Sequence, residues 1–140
     1  MPVKKMPVNG DIRETRFYKN SANILWQTIY IDDDRELFRQ WHENGSIEVE
    51  CFHNKKGLLD GKYLKWNKKG YKVLECELDD AMVTGPYKEY WSNGKIKKEC
   101  SYIKSKYDGP YREYDRQGNV VCLKNYKDGK KQPLKNVIDV

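Results

Sequence analysis

The chain has 140 residues, enough for one domain, with 38% hydrophobic and 34% charged residues and a mean hydropathy of −0.99, which leaves little material for a large buried core. Eleven Tyr, four Trp and three Phe exclude a featureless disordered chain, because rings at that density and regularity have something to pack against. The net charge of +6 is uneven: residues 1–60 carry 9 basic and 10 acidic side chains, residues 61–140 carry 18 and 11.

In chain order, residues 1–8 read as an N-terminal arm, without an apolar stretch behind the charges of MPVKKMPVNG. That predicts no secretory signal. No run approaches the ~20 apolar residues of a membrane span. A soluble, cytoplasmic protein with reduced thiols follows as the expectation. Residues 9–34 read as a partial repeat plus an extra strand. Asn9-Gly10-Asp11-Ile12-Arg13, with Tyr18, copies Asn93-Gly94-Lys95-Ile96-Lys97, with Tyr102, at the same offsets. The apolar run NILWQTIYI at 23–31 is the extra strand, free either to join a sheet or to fold over one. Asp32-Asp33-Asp34 lacks the alternating ligands, glycine and late Glu of a calcium loop and reads as a turn.

Four units follow, at 36–60, 61–84, 85–108 and 109–130, and a tail at 131–140. Phe38, Tyr63, Tyr87 and Tyr111 form one column, Trp41, Trp66, Tyr90 and Tyr114 a second, and Gly45, Gly70, Gly94 and Gly118 a third, at periods of 25, 24 and 24 residues. Self-similarity at this period is the signature of a repeat architecture. Each unit predicts a β-hairpin turning at Ser92-Asn93-Gly94 or its equivalent, where Asn-Gly favours φ > 0 in tight turns. Alternation along the return strand places Ile96, Lys98, Cys100 and Tyr102 on one face and Lys97, Glu99 and Ser101 on the other. The two aromatic columns stand three residues apart, so either both faces of the sheet are partly covered or a bulge re-aims one ring. The glycines opening units two to four predict the chain reversals between hairpins.

The motif Gly-x-Tyr-x-x-Tyr-Trp-x-Asn-Gly-x-Ile at 85–96 resembles the MORN-variant repeat of bacterial and viral proteins, strongly over 36–130 and weakly over 9–18. The resemblance implies an all-β fold: an elongated, twisted antiparallel sheet of stacked hairpins in a single domain. It also implies scaffold, dimerisation or lipid-headgroup roles, and in some bacterial relatives labelled antitoxins, a toxin partner.

No catalytic, cofactor or metal site is predicted. Cys51, Cys76 and Cys100 share a column, but equivalent positions in stacked hairpins lie two strands, about 9–10 Å, apart, too far for disulfides. Without a Cys-x-x-Cys pair a zinc site is not indicated, so the thiols read as small apolar filler, with Cys122 on the same face. His42 and His53 sit on different strands without a nucleophile motif, and the Glu50, Glu75, Glu99 column reads as a solvated face.

Two binding readings remain. One is protein–protein interaction or self-assembly, including a homodimer, through exposed sheet edges. The other is phosphate-directed binding of anionic lipid or nucleic acid through Lys88, Lys95, Lys97, Lys98 and Arg112, interleaved with Tyr90 and Tyr114.

Overall fold

The computed structural model describes residues 6–134. Residues 1–5 of the expected arm and 135–140 of the expected tail lie outside the described residues. The elements are β1 (Ile12–Phe17), β2 (Ile24–Asp32), β3 (Arg35–Trp41), β4 (Ile47–Asn54), β5 (Leu59–Trp66) and β6 (Lys72–Asp79). They continue with β7 (Met82–Val83), β8 (Gly85–Tyr90), β9 (Ile96–Ile103), β10 (Lys106–Tyr107), β11 (Gly109–Tyr114), β12 (Val120–Lys127) and β13 (Lys130–Gln132). All thirteen form one open sheet in sequence order, with β7 and β10 as short strips beside β6 and β9, and every pairing is antiparallel. The all-β sheet of stacked hairpins expected from the repeat is the fold.

Because strand direction alternates along this path, β1, β3, β5, β8 and β11 run one way and their partners return. The hairpin turns therefore all lie along one long side, the turn side, and the connections between hairpins along the other, the link side. Residues 9–34 hold a whole hairpin, since β1 pairs with β2 and β2 with β3. The 23–31 run thus joins the sheet. Its neighbour β1 has the direction of an outgoing strand, and Gly10, whose N–H bonds the Tyr30 carbonyl at 2.8 Å, stands on the link side. The likeness of Asn9-Gly10 to Asn93-Gly94 had placed it at a turn before a return strand; local sequence could not reveal the direction.

The turns themselves differ from the tight Asn-Gly form. Gly94 N–H bonds the Trp91 carbonyl (2.9 Å) and Trp91 N–H the Lys95 carbonyl (2.7 Å), which is a three-residue loop ending in a left-handed residue. Only Gly94 carries a positive φ, 88°, while Asn93 does not. The reversals on the link side fall at Asp80-Ala81 (φ 46° and 68°) and Lys104-Ser105 (47° and 66°), a pair of positive φ values that matches the twist of the flanking strands. The unit-opening glycines are not the reversal points. Gly85 (φ 79°) follows β7 and absorbs a two-residue slip between Leu78↔Val83 and Leu74↔Glu89, as a bulge glycine does.

Both faces carry half-buried rings, Tyr87 on one and Tyr90 and Tyr114 on the other, and a bulge is present as well. Tyr87 pairs with Cys100 and Lys88 with Glu99, whereas Glu89↔Lys98 is followed by Tyr90↔Ile96, leaving Lys97 unmatched. The bulge lies on β9, so the Tyr90 ring keeps its alternating place opposite Tyr87 and it is Ile96 that changes sides, leaving the Lys98, Cys100, Tyr102 face to which the alternation had assigned it. Ile47, paired with Trp41 after Gln40↔Val49, does the same. The cysteine face carries Val49, Cys51, Cys76, Cys100 and Tyr111, all buried, with Cys51 only 3% exposed. Ile29 and Leu37 are the buried pair of the opposite, glutamate face. A core this thin relies on the backbone ladder and on cross-links between units.

Candidate functional site

On the glutamate face, register aligns side chains in a row that crosses the sheet. Its first half holds Arg39 and Glu50, joined at 2.9 Å. Its second half runs Glu75↔Lys88↔Glu99↔Arg112 across four strands. Alternating charge makes this row nearly neutral. Tyr90 donates to Glu75 Oε1 (3.0 Å) and Tyr114 to Glu99 Oε1 (2.5 Å), each reaching back fifteen residues to the preceding unit. Burial, and then these bonds, push both phenols up to about 12. For Glu75, burial raises the pKa, but the Tyr90 bond and the charge of Lys72 prevail and hold it below the ordinary glutamate value. The glutamate column is therefore not simply solvated. It receives the second aromatic column and locks successive hairpins, while Lys88, Arg112, Tyr90 and Tyr114 share this one face.

Lys98 lies on the cysteine face, between Glu89 and Glu113 in register. Its Nζ sits 5.4, 5.4 and 5.1 Å from the ring centres of Tyr87, Tyr107 and Tyr111, and donates to the Tyr107 hydroxyl at 3.2 Å. Burial opposes its charge, yet the Tyr107 bond and Glu89 keep its pKa above the ordinary lysine value. Around it Tyr102 stacks on Tyr107 at 4.8 Å and Tyr126 lies 4.9 Å from the same ring. Burial is the first cause of the raised phenol pKa at Tyr87, up to about 12, and at Tyr102 and Tyr111, which go higher. With a side chain only 17% exposed, Lys98 is the centre of a tyrosine cluster rather than a free cation.

Lys95 and Lys97 stand elsewhere again, at the turn side, and both are exposed. The structure thus divides the basic residues singled out in the sequence among two faces and an edge. At that edge they meet three cations that sequence reasoning passed over: Lys68 and Lys69 on the second-unit turn and Arg116 on the fourth. Their signal was available, since all occupy the loop positions just before a turn glycine.

The turn tips are cross-linked at one-unit intervals. Tyr18 Oη donates to the Trp41 carbonyl (2.7 Å), His42 Nε2 to that of Trp66 (2.9 Å), and Trp91 Nε1 to that of Tyr114 (3.2 Å). Asn44 Nδ2 reaches the Lys68 carbonyl (3.1 Å) and Asn93 Nδ2 that of Arg116 (3.2 Å). Here the turn asparagine acts as a bridge to the next hairpin. His42 is buried in this ladder, a carbonyl being able only to accept, and His53 packs edge-on against Phe38 at 5.9 Å. Among the described residues neither imidazole is bonded to a Ser or Cys.

The four cysteines are free thiols, and Cys51, Cys76 and Cys100 are buried. Burial, then Glu50, pushes the Cys51 thiol up to about 11; burial also raises Cys76 and Cys100. Protonated thiols are weak nucleophiles and weak metal ligands. On the link side the carboxylates of Asp60, Asp79 and Asp80 approach within 4.8 Å of one another, brought together from positions twenty apart in sequence. Asn54 Nδ2 donates to Asp60 (3.1 Å) and Asp80 (2.6 Å), and Lys56 pairs with Asp80 at 3.3 Å, so amide and ammonium groups meet this cluster from within. No helix among the described residues is long and apolar enough to cross a membrane.

The hairpins β8–β9 and β11–β12 are each entered through a short strip, β7 or β10. Two segments match the family model described as MORN repeat variant. They are residues 83–104 and 107–128, together under a third of the chain. None of the curated proteins matches it. The MORN-type segments start at equivalent positions 24 residues apart, the period of the columns, and MORN repeats are in general associated with binding to proteins or membrane lipids.

Proposed function

We propose that the chain is a non-enzymatic repeat scaffold that joins a second copy of itself or another protein by strand addition at the ends of its sheet. One observation carries this reading: the outer edge of β12. Return strands β4, β6 and β9 each accept an outgoing strand on the far side, but β13 pairs only with Asn125, Tyr126 and Lys127 of β12. Among the described residues nothing pairs with the outer side of Val120–Lys124. Val120 is 52% and Val121 63% exposed there. An apolar edge with unpaired N–H and C=O groups is a template for another strand. At the opposite end β1 offers a strand that is exposed in the same way, with Ile12 and Phe17 in solvent. An antitoxin-like partnership with a toxin would be one form of the same strand capture.

Light scattering over a concentration series tests the reading. Wild-type mass should rise above the monomer, and Val121→Lys should return it to the monomer, since a charge on the edge opposes pairing. A wild-type protein that stays monomeric and captures no partner that Val121→Lys loses would overturn it.

A further inference from the structure

The geometry points to a second, separate binding surface: the turn tips at 67–71, 91–95 and 115–119 form a ridge for the phosphate backbone of a single-stranded nucleic acid. Four exposed cations stand on it, Lys68, Lys69, Lys95 and Arg116, with Lys97 exposed beside the middle tip, and among the described residues none of the five forms an ion pair. Asp115, the acid of these three loops, turns its carboxylate inward to accept the N–H groups of Gln117 and Asn119, both at 2.9 Å. Its charge is spent on its own turn.

The cations are also held in line. Asn67 Nδ2 bonds the Ser92 carbonyl (3.5 Å), Asn93 that of Arg116, and Lys95 Nζ that of Gln117 (3.4 Å), so the three tips step by two strands, about 9–10 Å, each time. Two rings interleave with the charges. Tyr71 is 47% exposed and its ring lies against Gly94. Trp91 is flanked by Lys97 Nζ at 4.9 Å and Arg116 Cζ at 4.5 Å. Basic side chains interleaved with rings suit a strand whose phosphates and bases alternate.

A flat membrane fits less well. Adjacent strands rotate by about 20–25°, so the four strand steps from the second-unit turn to the fourth turn the ridge through about 80–100°. A flexible polyanion can follow that path, whereas a bilayer meets one tip at a time. The sheet edges at β1 and β12 take no part, and assembly there can fail without touching the ridge.

Fluorescence anisotropy with a labelled oligouridylate of about 15 nucleotides tests the inference. Binding at low salt should weaken with a log–log slope of about −2 to −3.5, as expected for roughly three to five phosphates on a single strand. Lys68→Glu, Lys95→Glu and Arg116→Glu together should weaken it more than about 30-fold. The equal charge change on the link side, Lys104→Glu with Lys127→Glu and Lys130→Glu, should cost less than about threefold, and Tyr71→Ala alone about fivefold or more. A milder set, Lys68→Gln, Lys69→Gln and Arg116→Gln, keeps Lys95 and its turn bond, and circular dichroism checks that the sheet is intact. Equal loss in the turn-side and link-side triples would reduce the effect to net charge and overturn the inference. So would tighter binding to phosphatidylserine–phosphatidylcholine vesicles with no effect of Tyr71→Ala, or no binding at low salt.

Discussion

The two long sides of the sheet solve the same problem, joining one hairpin to the next, with different chemistry. On the link side the backbones bond each other: Ala81 N–H to the Leu59 carbonyl (2.7 Å), Ser105 to Val83 (2.8 Å) and Gly129 to Tyr107 (2.8 Å). Lysines and aspartates interleave there, and Lys55–Asp34, Lys56–Asp80 and Lys106–Asp128 pair at 3.6, 3.3 and 3.8 Å. On the turn side the side chains that span the gap to carbonyls are neutral apart from Lys95, so no joint there pairs a cation with an acid. The difference teaches where function can sit. A side whose joints are neutral can carry unpaired cations, while a side whose charges pair with each other has less to offer a ligand.

The largest stability effect should come from a turn-side joint. His42→Ala removes a buried ring and leaves the Trp66 carbonyl short of its 2.9 Å donor, a loss of about 2 kcal/mol readable in urea unfolding. A value near zero would break the claim that side-chain bridges hold this side. Gly94→Ala comes next: φ is 88° and a Cβ would stand 3.1 Å from Tyr71 Cδ1. It should cost about 1–2 kcal/mol. The link side should answer with the opposite sign, because Ala81 already holds φ 68°. Ala81→Gly should gain about 0.5 kcal/mol, relief of the left-handed strain being partly offset by chain entropy.

Acid should act on the turn side through Asp115. The backbone N–H of Asn119 and its neighbours hold the carboxyl below the ordinary aspartate value. A depressed folded pKa gives stability that is present above the unfolded value near 3.8 and lost as pH falls through the folded one. The amide resonances of Gln117 and Asn119 should therefore shift below about pH 4 and not above it. Smallest of all, a double-mutant cycle on Lys56 and Asp80, whose side chains are 64% and 41% exposed, should give a coupling of about 0.5 kcal/mol or less that vanishes in molar salt.

Alkali sharpens a different contrast, between faces and sides. Tyr87, Tyr90 and Tyr114 are raised to about 12 by burial first, so the unfolded chain ionises its phenols before the folded one does. Stability is then complete below about pH 10 and falls as pH climbs toward 12. Thermal melts across that range should show the decline.

Much of this molecule was legible because a repeat displays its own logic. The column of Phe38, Tyr63, Tyr87 and Tyr111, the Cys column beside it and the glycine before each return strand lie at one spacing, and spacing is a property of sequence. The direction of β1 was not legible, because Asn9-Gly10 looks like a turn and only pairing with β2 shows that it lies on the link side. Nor was the side on which Ile96 falls, since a bulge at Lys97 is decided by which carbonyl the partner strand presents. The candidate site dissolved for a related reason. Lys88, Lys95, Lys97, Lys98 and Arg112 are close in the repeat, yet period-two alternation sends Lys88 and Lys98 to opposite faces and Lys95 to a tip.

By itself, then, the amino-acid sequence determined the hairpin, its period and its stacking, because aromatic spacing, turn glycines and β-branched alternation are local and act within one unit. Which charges are consumed was decided only by the tertiary structure. The link-side ion pairs, the tyrosine–glutamate bonds and the amide bridges here join residues fifteen to twenty-six positions apart, and that distance closes only when neighbouring hairpins share one sheet.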